Sequence, residues 1–171
     1  TFDGTGDYLS VADSADWTFG TGDFTLESWI NTNAKADQVI FSQYADASNR
    51  WYLTADNRDN VQTVAMYHHA SGLEIETSTG SAGPIGVHKW AHFAVVRASG
   101  VISVYVDGVS LALATNTSAS ADMTDVAAAL RIGDYNGGNN LNGYLDEIRI
   151  SNSARYTANF TPDTTAFSSD A

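Results

Sequence analysis

The stretch Phe24-Thr25-Leu26-Glu27-Ser28-Trp29-Ile30-Asn31 changes side-chain character at every second residue, and this pattern recurs along the chain. A β-strand sends successive side chains to opposite faces, whereas a helix needs apolar residues three and four apart. No long segment carries a helical stripe, so the chain reads as all-β. Further strands are expected at Tyr8 to Val11, Val39 to Tyr44, Trp51 to Thr54, Val61 to His69, Leu73 to Thr77 and Trp90 to Arg97. Others follow at Val101 to Val106, Ser110 to Ala114, Ala129 to Ile132 and Tyr144 to Ile150. Between Val101-Ile102-Ser103-Val104-Tyr105-Val106 and Val109, the pair Asp107-Gly108 supplies the positive φ values of a tight type I′ hairpin. Short helical turns are expected at Val126 to Ala129 and near Ser153 to Thr157, and Thr115 to Ala121 reads as a loop. Many short strands separated by Gly, Asn and Asp clusters indicate a sandwich or barrel.

A chain of 171 residues suits one domain, 1–171, with one core. Apolar residues make up 43% of it, including Trp17, Trp29, Trp51 and Trp90, enough to fill that core. The absence of cysteine removes disulfides, thiolate zinc sites and a Cys nucleophile together. Eight basic against twenty acidic residues give a net charge of −12, and only Glu27, Glu74, Glu76 and Glu147 among the acids are not Asp. Such a surface repels phosphate backbones and anionic lipid, which disfavours nucleic acid and electrostatic membrane attachment. Loop carboxylates do suit a hard cation such as calcium, and they also keep a surface soluble. No stretch approaches the roughly 20 apolar residues that span a bilayer, so no membrane insertion is expected. Two lysines beside abundant Ala, Ser, Thr, Asn and Gly fit an extracellular microbial protein, and the chain reads as one domain of something longer.

Three stretches together resemble the laminin-G-like, concanavalin A-like jelly-roll superfamily. The first is Phe2-Asp3-Gly4-Thr5-Gly6-Asp7-Tyr8-Leu9-Ser10-Val11 with Asp23-Phe24-Thr25-Leu26-Glu27-Ser28-Trp29-Ile30. The second is His88-Lys89-Trp90-Ala91-His92-Phe93-Ala94-Val95-Val96-Arg97, running into the Tyr105-Val106-Asp107-Gly108 hairpin. The third is Leu130-Arg131-Ile132-Gly133 and then Leu141-Asn142-Gly143-Tyr144-Leu145-Asp146-Glu147-Ile148-Arg149-Ile150. The resemblance implies a two-sheet antiparallel jelly-roll sandwich with the terminal strands adjacent. It also implies a module that recognises glycans or proteins, found in adhesins, glycan-degrading enzymes and phage structural proteins, often with calcium.

Catalysis is not expected. Glycosidases place two carboxyl groups roughly 5 to 10 Å apart across the scissile bond, and the hydrolases the chain resembles carry them as Glu-x-Asp-x-Glu on one strand, a pattern missing here. Asp146 and Glu147 are consecutive and face opposite ways in a regular strand, while Glu74 and Glu76 read as a solvated pair on an edge strand. There is no Gly-x-Ser-x-Gly elbow. His68 and His69 face opposite ways and read as surface polar groups. His92, alternating with Trp90, Ala94 and Val96, reads as a hydrogen-bonded core or interface histidine.

Strict alternation sets Asp146 on the face of Ile148 and Ile150, towards apolar neighbours, where a carboxylate needs a cation or donors. If the termini pair as the resemblance implies, Asp3 lies beside it. A structural calcium held by Asp3 and Asp146, with Asp7 or turn carbonyls completing the shell, is one reading. The other is that Asp146 accepts N–H bonds from the Gly4 to Gly6 turn without a metal. A glycan ligand needs aromatic faces beside amides and carboxylates. Trp51, Tyr52, Tyr67, His69, Tyr135, Asn136, Asn139 and Asn140 offer those groups. The expected function is therefore a carbohydrate-binding, lectin-like adhesion module at a cell surface, in the extracellular space or on a virion, attached to neighbouring domains. The alternative is a structural or protein-contact domain of a phage tail or surface adhesin without glycan binding.

Overall fold

A computed structural model describes residues 1–58, 61–79 and 85–168. Among the described residues, thirteen strands form two sheets in which every strand pair is antiparallel. They are β1 (Phe2–Asp3), β2 (Leu9–Val11), β3 (Phe24–Thr32), β4 (Gln38–Tyr44), β5 (Arg50–Arg58), β6 (Val61–His68) and β7 (Leu73–Thr77). The rest are β8 (Ala91–Ala98), β9 (Val101–Val106), β10 (Val109–Ser110), β11 (Leu113–Thr117), β12 (Leu130–Ile132) and β13 (Asn142–Ser151). The first sheet runs β1-β13-β3-β8-β9-β10 and the second β11-β7-β6-β5-β4-β12-β2, together a jelly-roll sandwich. Among the described residues no helix is long and apolar enough to cross a membrane.

The core follows from register. Ile150, Leu26, Val95 and Val104 lie in one row across four strands of the first sheet. Phe41, Leu53, Met66 and Ile75 form the matching row of the second. The apolar half of each alternating strand thus points inward, and the two inner faces make one buried cluster. The terminal strands pair as expected, Phe2 opposite Gly143 and Asp3 opposite Asn142. The Asp107-Gly108 turn takes φ of 49° and 75°, the left-handed pair of a type I′ hairpin. Gly108 has a second reason to lack a side chain, because an added Cβ would lie 1.9 Å from the carbonyl oxygen of Phe160. The C-terminal segment crosses the hairpin there, and the Phe160 N–H donates to the Gly108 carbonyl.

Local expectations fail in three places. Neither Val126 to Ala129 nor Ser153 to Thr157 is helical, and the one helical piece among the described residues is a 3-10 turn, Ala15–Trp17, capped by Ser14. Thr115 to Thr117 belong to β11 rather than to a loop, because they pair with β7. That pairing makes β7 an interior strand, so Glu74 and Glu76 are not an edge pair.

Candidate functional site

The two outer faces of the sandwich differ. On the second sheet, the residues between the core positions form rows: Ser42-Tyr52-Tyr67-Glu74, and beside it Thr54-Ala65-Glu76-Thr115. Tyr44 opposes Arg50, whose carbonyl accepts the His69 N–H. Period-two geometry therefore brings Tyr52, Tyr67 and His69, distant in sequence, onto one surface. The Tyr52 ring lies 4.9 Å from Tyr67, 5.9 Å from His69 in a stacked arrangement, and 4.7 Å from Tyr135. Tyr135 arrives from the turn after β12, in which it exchanges hydrogen bonds with Gly138 across Asn136 (φ 49°) and Gly137 (φ 85°). Its ring meets Tyr44 edge-on at 5.5 Å, and the Arg50 guanidinium sits 5.7 and 5.8 Å from the Tyr135 and Tyr44 rings.

Polar groups border these rings. The Tyr67 hydroxyl donates to Glu76, which also accepts the Thr115 hydroxyl, and Asp56 accepts the Thr54 hydroxyl. A cavity of about 150 Å³ opens beside them, lined in part by Tyr67, His69 and Glu74. Burial raises the pKa of Tyr52 and of Tyr135, and it lowers that of His69, with Arg50 adding to the same effect. At neutral pH Tyr52 and Tyr135 accordingly remain neutral phenols and His69 a neutral imidazole, set beside Glu74, Glu76, Asp56 and Arg50.

Four of the eight ligand candidates meet here: Tyr52, Tyr67, His69 and Tyr135. Asn136 is exposed at the tip of the Tyr135 turn. Asn139 is exposed, and its carbonyl accepts the Val39 N–H, while Asn140 is half-buried with its amide 3.5 Å from Asp134. Trp51 does not belong to the surface. It is one position out of phase with Tyr52, faces the core at 2% exposure, and donates its indole N–H to Gln43 at 2.7 Å. Tyr44 and Arg50, which sequence reasoning missed, carried a signal: both hold the same alternation phase as Tyr52 across a pairing that only the fold reveals. Glu76 is buried rather than solvated. His68 is likewise buried, with ring nitrogens 2.7 Å from the Ser71 hydroxyl and 3.2 Å from the Thr124 carbonyl.

On the first sheet, the part of the outer face around Glu27, Ala94, Val96 and Tyr105 lies under the C-terminal segment. Glu27 is fully buried, 3.1 Å from His92 Nε2 and 2.7 Å from the Arg149 guanidinium, and it accepts the Tyr156 hydroxyl at 2.9 Å. Arg155 lies 3.6 Å away. Burial would raise the Glu27 pKa, but the hydrogen bonds from His92, Arg149 and Tyr156 outweigh it and hold the carboxyl below the ordinary range. Burial and the neighbouring Glu27 carboxylate push the Tyr156 phenol up to about 12. His92 is thus the hydrogen-bonded buried histidine expected.

The carboxylates proposed for calcium do not form one site. Asp3 and Asp7 share a turn, where Asp3 accepts the Thr5 N–H at 2.7 Å and donates its own N–H to Asp7 at 3.3 Å. Asp3 opposes Asn142, four residues from Asp146, roughly 13 Å along an extended strand. Asp146 is exposed instead of directed at apolar neighbours, because β13 bulges between Asp146 and Arg149 with Glu147 at φ 51°. The extra residue sets Ile150 opposite inward-facing Leu26, while Asp146 stays opposite outward-facing Trp29. Nor does Asp146 accept bonds from the Gly4 to Gly6 turn among those described; its Oδ1 accepts the Glu147 N–H. No group of three or more His, Asp or Glu placed to hold a metal occurs among the described residues. The three aspartates therefore do not fit a shared calcium cage.

Residues 3–159 match the concanavalin A-like lectin/glucanases superfamily. The chain belongs to this superfamily. The concanavalin A-like fold is shared with a Bacteroides ovatus protein assigned to carbohydrate binding, at 18% identity and TM-score 0.67 over 91% of this chain and 44% of that one. It is shared with domains LG4-5 of mouse laminin α1, at 14% identity and TM-score 0.64 over 96% and 48%. Domain 4 of an extracellular arabinanase from Geobacillus stearothermophilus, solved with arabinotriose, follows at 17% identity and TM-score 0.63 over 90% and 82%. The chain thus spans less than half the length of the first two. No curated protein matches it by sequence.

Proposed function

We propose that this concanavalin A-like domain is a carbohydrate-binding, lectin-like adhesion module of a larger extracellular protein, and that glycan lies on the outer face of the second sheet. The observation that carries the reading is the ring cluster Tyr52, Tyr67, His69 and Tyr135, extended by Tyr44 and Arg50. Sugars present apolar C–H faces ringed with hydroxyls. Half-buried tyrosine rings cover the former at little entropic cost, and Glu74, Asp56 and Arg50 supply acceptors and donors for the latter. The rings arrive from three strands, the residue after β6 and a tight turn, so the surface is largely preformed and loses little freedom on binding. Similarity to an arabinanase domain solved with arabinotriose, and to a protein assigned to carbohydrate binding, supports the ligand class. Binding rather than catalysis is the activity proposed. A glycan array probed with the wild-type chain and with Tyr52→Ala tests this: hits that Tyr52→Ala abolishes are expected, and a silent array sinks the reading.

The protein-contact alternative has one observation in its favour. The edge strand β2 exposes Leu9 and Val11, with Tyr8 just before it, an unpaired strand edge of the kind that other chains cover. A monomeric chain in solution together with a silent array would leave this edge as the working surface.

A further inference from the structure

The second cavity of interest lies on the opposite side of the sandwich, on the uncovered part of the first sheet's outer face. Register sets Tyr144 opposite Asn31 and Asp146 opposite Trp29 across β13 and β3, with Trp90 just before β8. Trp90 and Tyr144 are 42% and 41% exposed, with ring centroids 6.3 Å apart. Beside them is a cavity of about 320 Å³ lined by Trp29, Trp90, Asp146, Glu147 and the segment Thr164 to Ala166. That volume is at the lower end of the range for small-ligand sites, about 300 to 1,000 Å³.

The cavity is built by the fold. The Trp29 indole N–H donates to the Asp163 carbonyl at 3.1 Å, and the Phe167 N–H donates to Glu147 at 2.6 Å. Thr164, Thr165 and Ala166 are thereby stretched as a wall between two anchors. The β13 bulge that holds Glu147 at positive φ aims its carboxylate at that wall, while Asp146 is left exposed at the cavity.

We infer that this cavity is a second glycan-binding site, taking a neutral sugar whose apolar face lies on Trp90 and the adjoining Tyr144 ring and whose hydroxyls donate to the carboxylates of Asp146 and Glu147. The lining contains two carboxylates and no Lys or Arg, so acidic sugars, phosphates and anionic peptides are rejected. Hydroxyl groups satisfy both the aromatic faces and the surplus of acceptors. A site on each outer face lets one domain bridge two glycan chains and gives it avidity for a polysaccharide that neither site has alone.

Nuclear magnetic resonance of the 15N-labelled full chain tests this, following the four indole N–H signals during titration with arabinotriose, xylotriose, maltotriose and cellotriose. The Trp90 and Trp29 signals should move with at least one trisaccharide, and should move equally in Tyr52→Ala, which disables the first site. In Trp90→Ala the Trp29 response should weaken by about tenfold in affinity, whereas Trp90→Phe should retain most of it. Trp90 and Trp29 signals that stay still with all four sugars overturn the proposal without touching the Tyr52 site, which is read from the array. Shifts that vanish in Tyr52→Ala reduce the molecule to one site and overturn it as well.

Discussion

Both sheets are built from the same alternating strands, yet their outer faces have opposite fates. On the second sheet Tyr52 and Tyr67 remain half-buried among other rings, with neighbours that can still meet a ligand. On the first, the C-terminal segment lays Tyr156 and Phe160 over Ala94, Val96 and Tyr105, and Glu27 loses all contact with water. A charged face covered by its own chain must be closed by partners. Glu27 therefore collects His92, Arg149, Arg155 and Tyr156, while the open face can afford polar groups that are only partly satisfied. Covering a face turns its polar residues into structure, and leaving it open turns them into recognition.

The largest break in this comparison is Glu27→Ala. It removes the carboxylate from buried His92 and half-buried Arg149 and should cost about 3 to 5 kcal/mol in chemical denaturation. Tyr67→Phe on the open face, which removes one hydroxyl from Glu76, should cost about 1 kcal/mol. Equal losses would erase the distinction between the faces. Trp51→Ala should lie near the Glu27 value, about 3 to 5 kcal/mol, because it empties a core position. Loss of glycan binding by a Trp51→Ala chain that remains as stable as wild type would return that residue to the surface.

The pH dependence sharpens the contrast further. The Glu27 pKa is lowered in the folded state, so its stabilisation is fully present above about 4.5 and is lost as pH falls through the lower folded value. The Tyr156 pKa is raised, so its contribution is present below about 10 and is lost as pH climbs towards about 12. Thermal melts of Tyr156→Phe should show a shallower alkaline decline than wild type. Part of the slope should persist, since burial also raises Tyr52 and Tyr135. An unchanged alkaline limb would place the Tyr156 phenol outside the network. The smallest effect concerns calcium. Because Asp146 is far from the Asp3 and Asp7 turn, Asp146→Asn should leave the difference in Tm between EDTA and millimolar calcium as it is in wild type. A difference abolished by that substitution would return Asp146 to a shared ion.

The sandwich was legible in the sequence because its strands obey period two almost everywhere and because Asp107-Gly108 names its own turn. Tyr52, Tyr67, His69 and Tyr135 were legible as residue types, and their assembly was implied by alternation once the pairing was known. What stayed hidden was hidden for physical reasons. The bulge at Glu147 shifts phase by one residue, exchanging the expected Asp146 and Ile148 face for one that sets Arg149 opposite Glu27. Nothing local to Glu27 announces that a segment more than a hundred residues away will cover it. Trp51 was misjudged because a strand with aromatic residues at successive positions does not declare which of them faces inward.

The claim that the open face is the recognition surface is tested most directly by calorimetric titration of an array-positive oligosaccharide into wild type, Tyr52→Ala and Tyr135→Ala. Each substitution should weaken binding by about tenfold or more, the value of a lost ring contact, while the folding transition stays cooperative. Affinity unchanged in both variants would contradict the account.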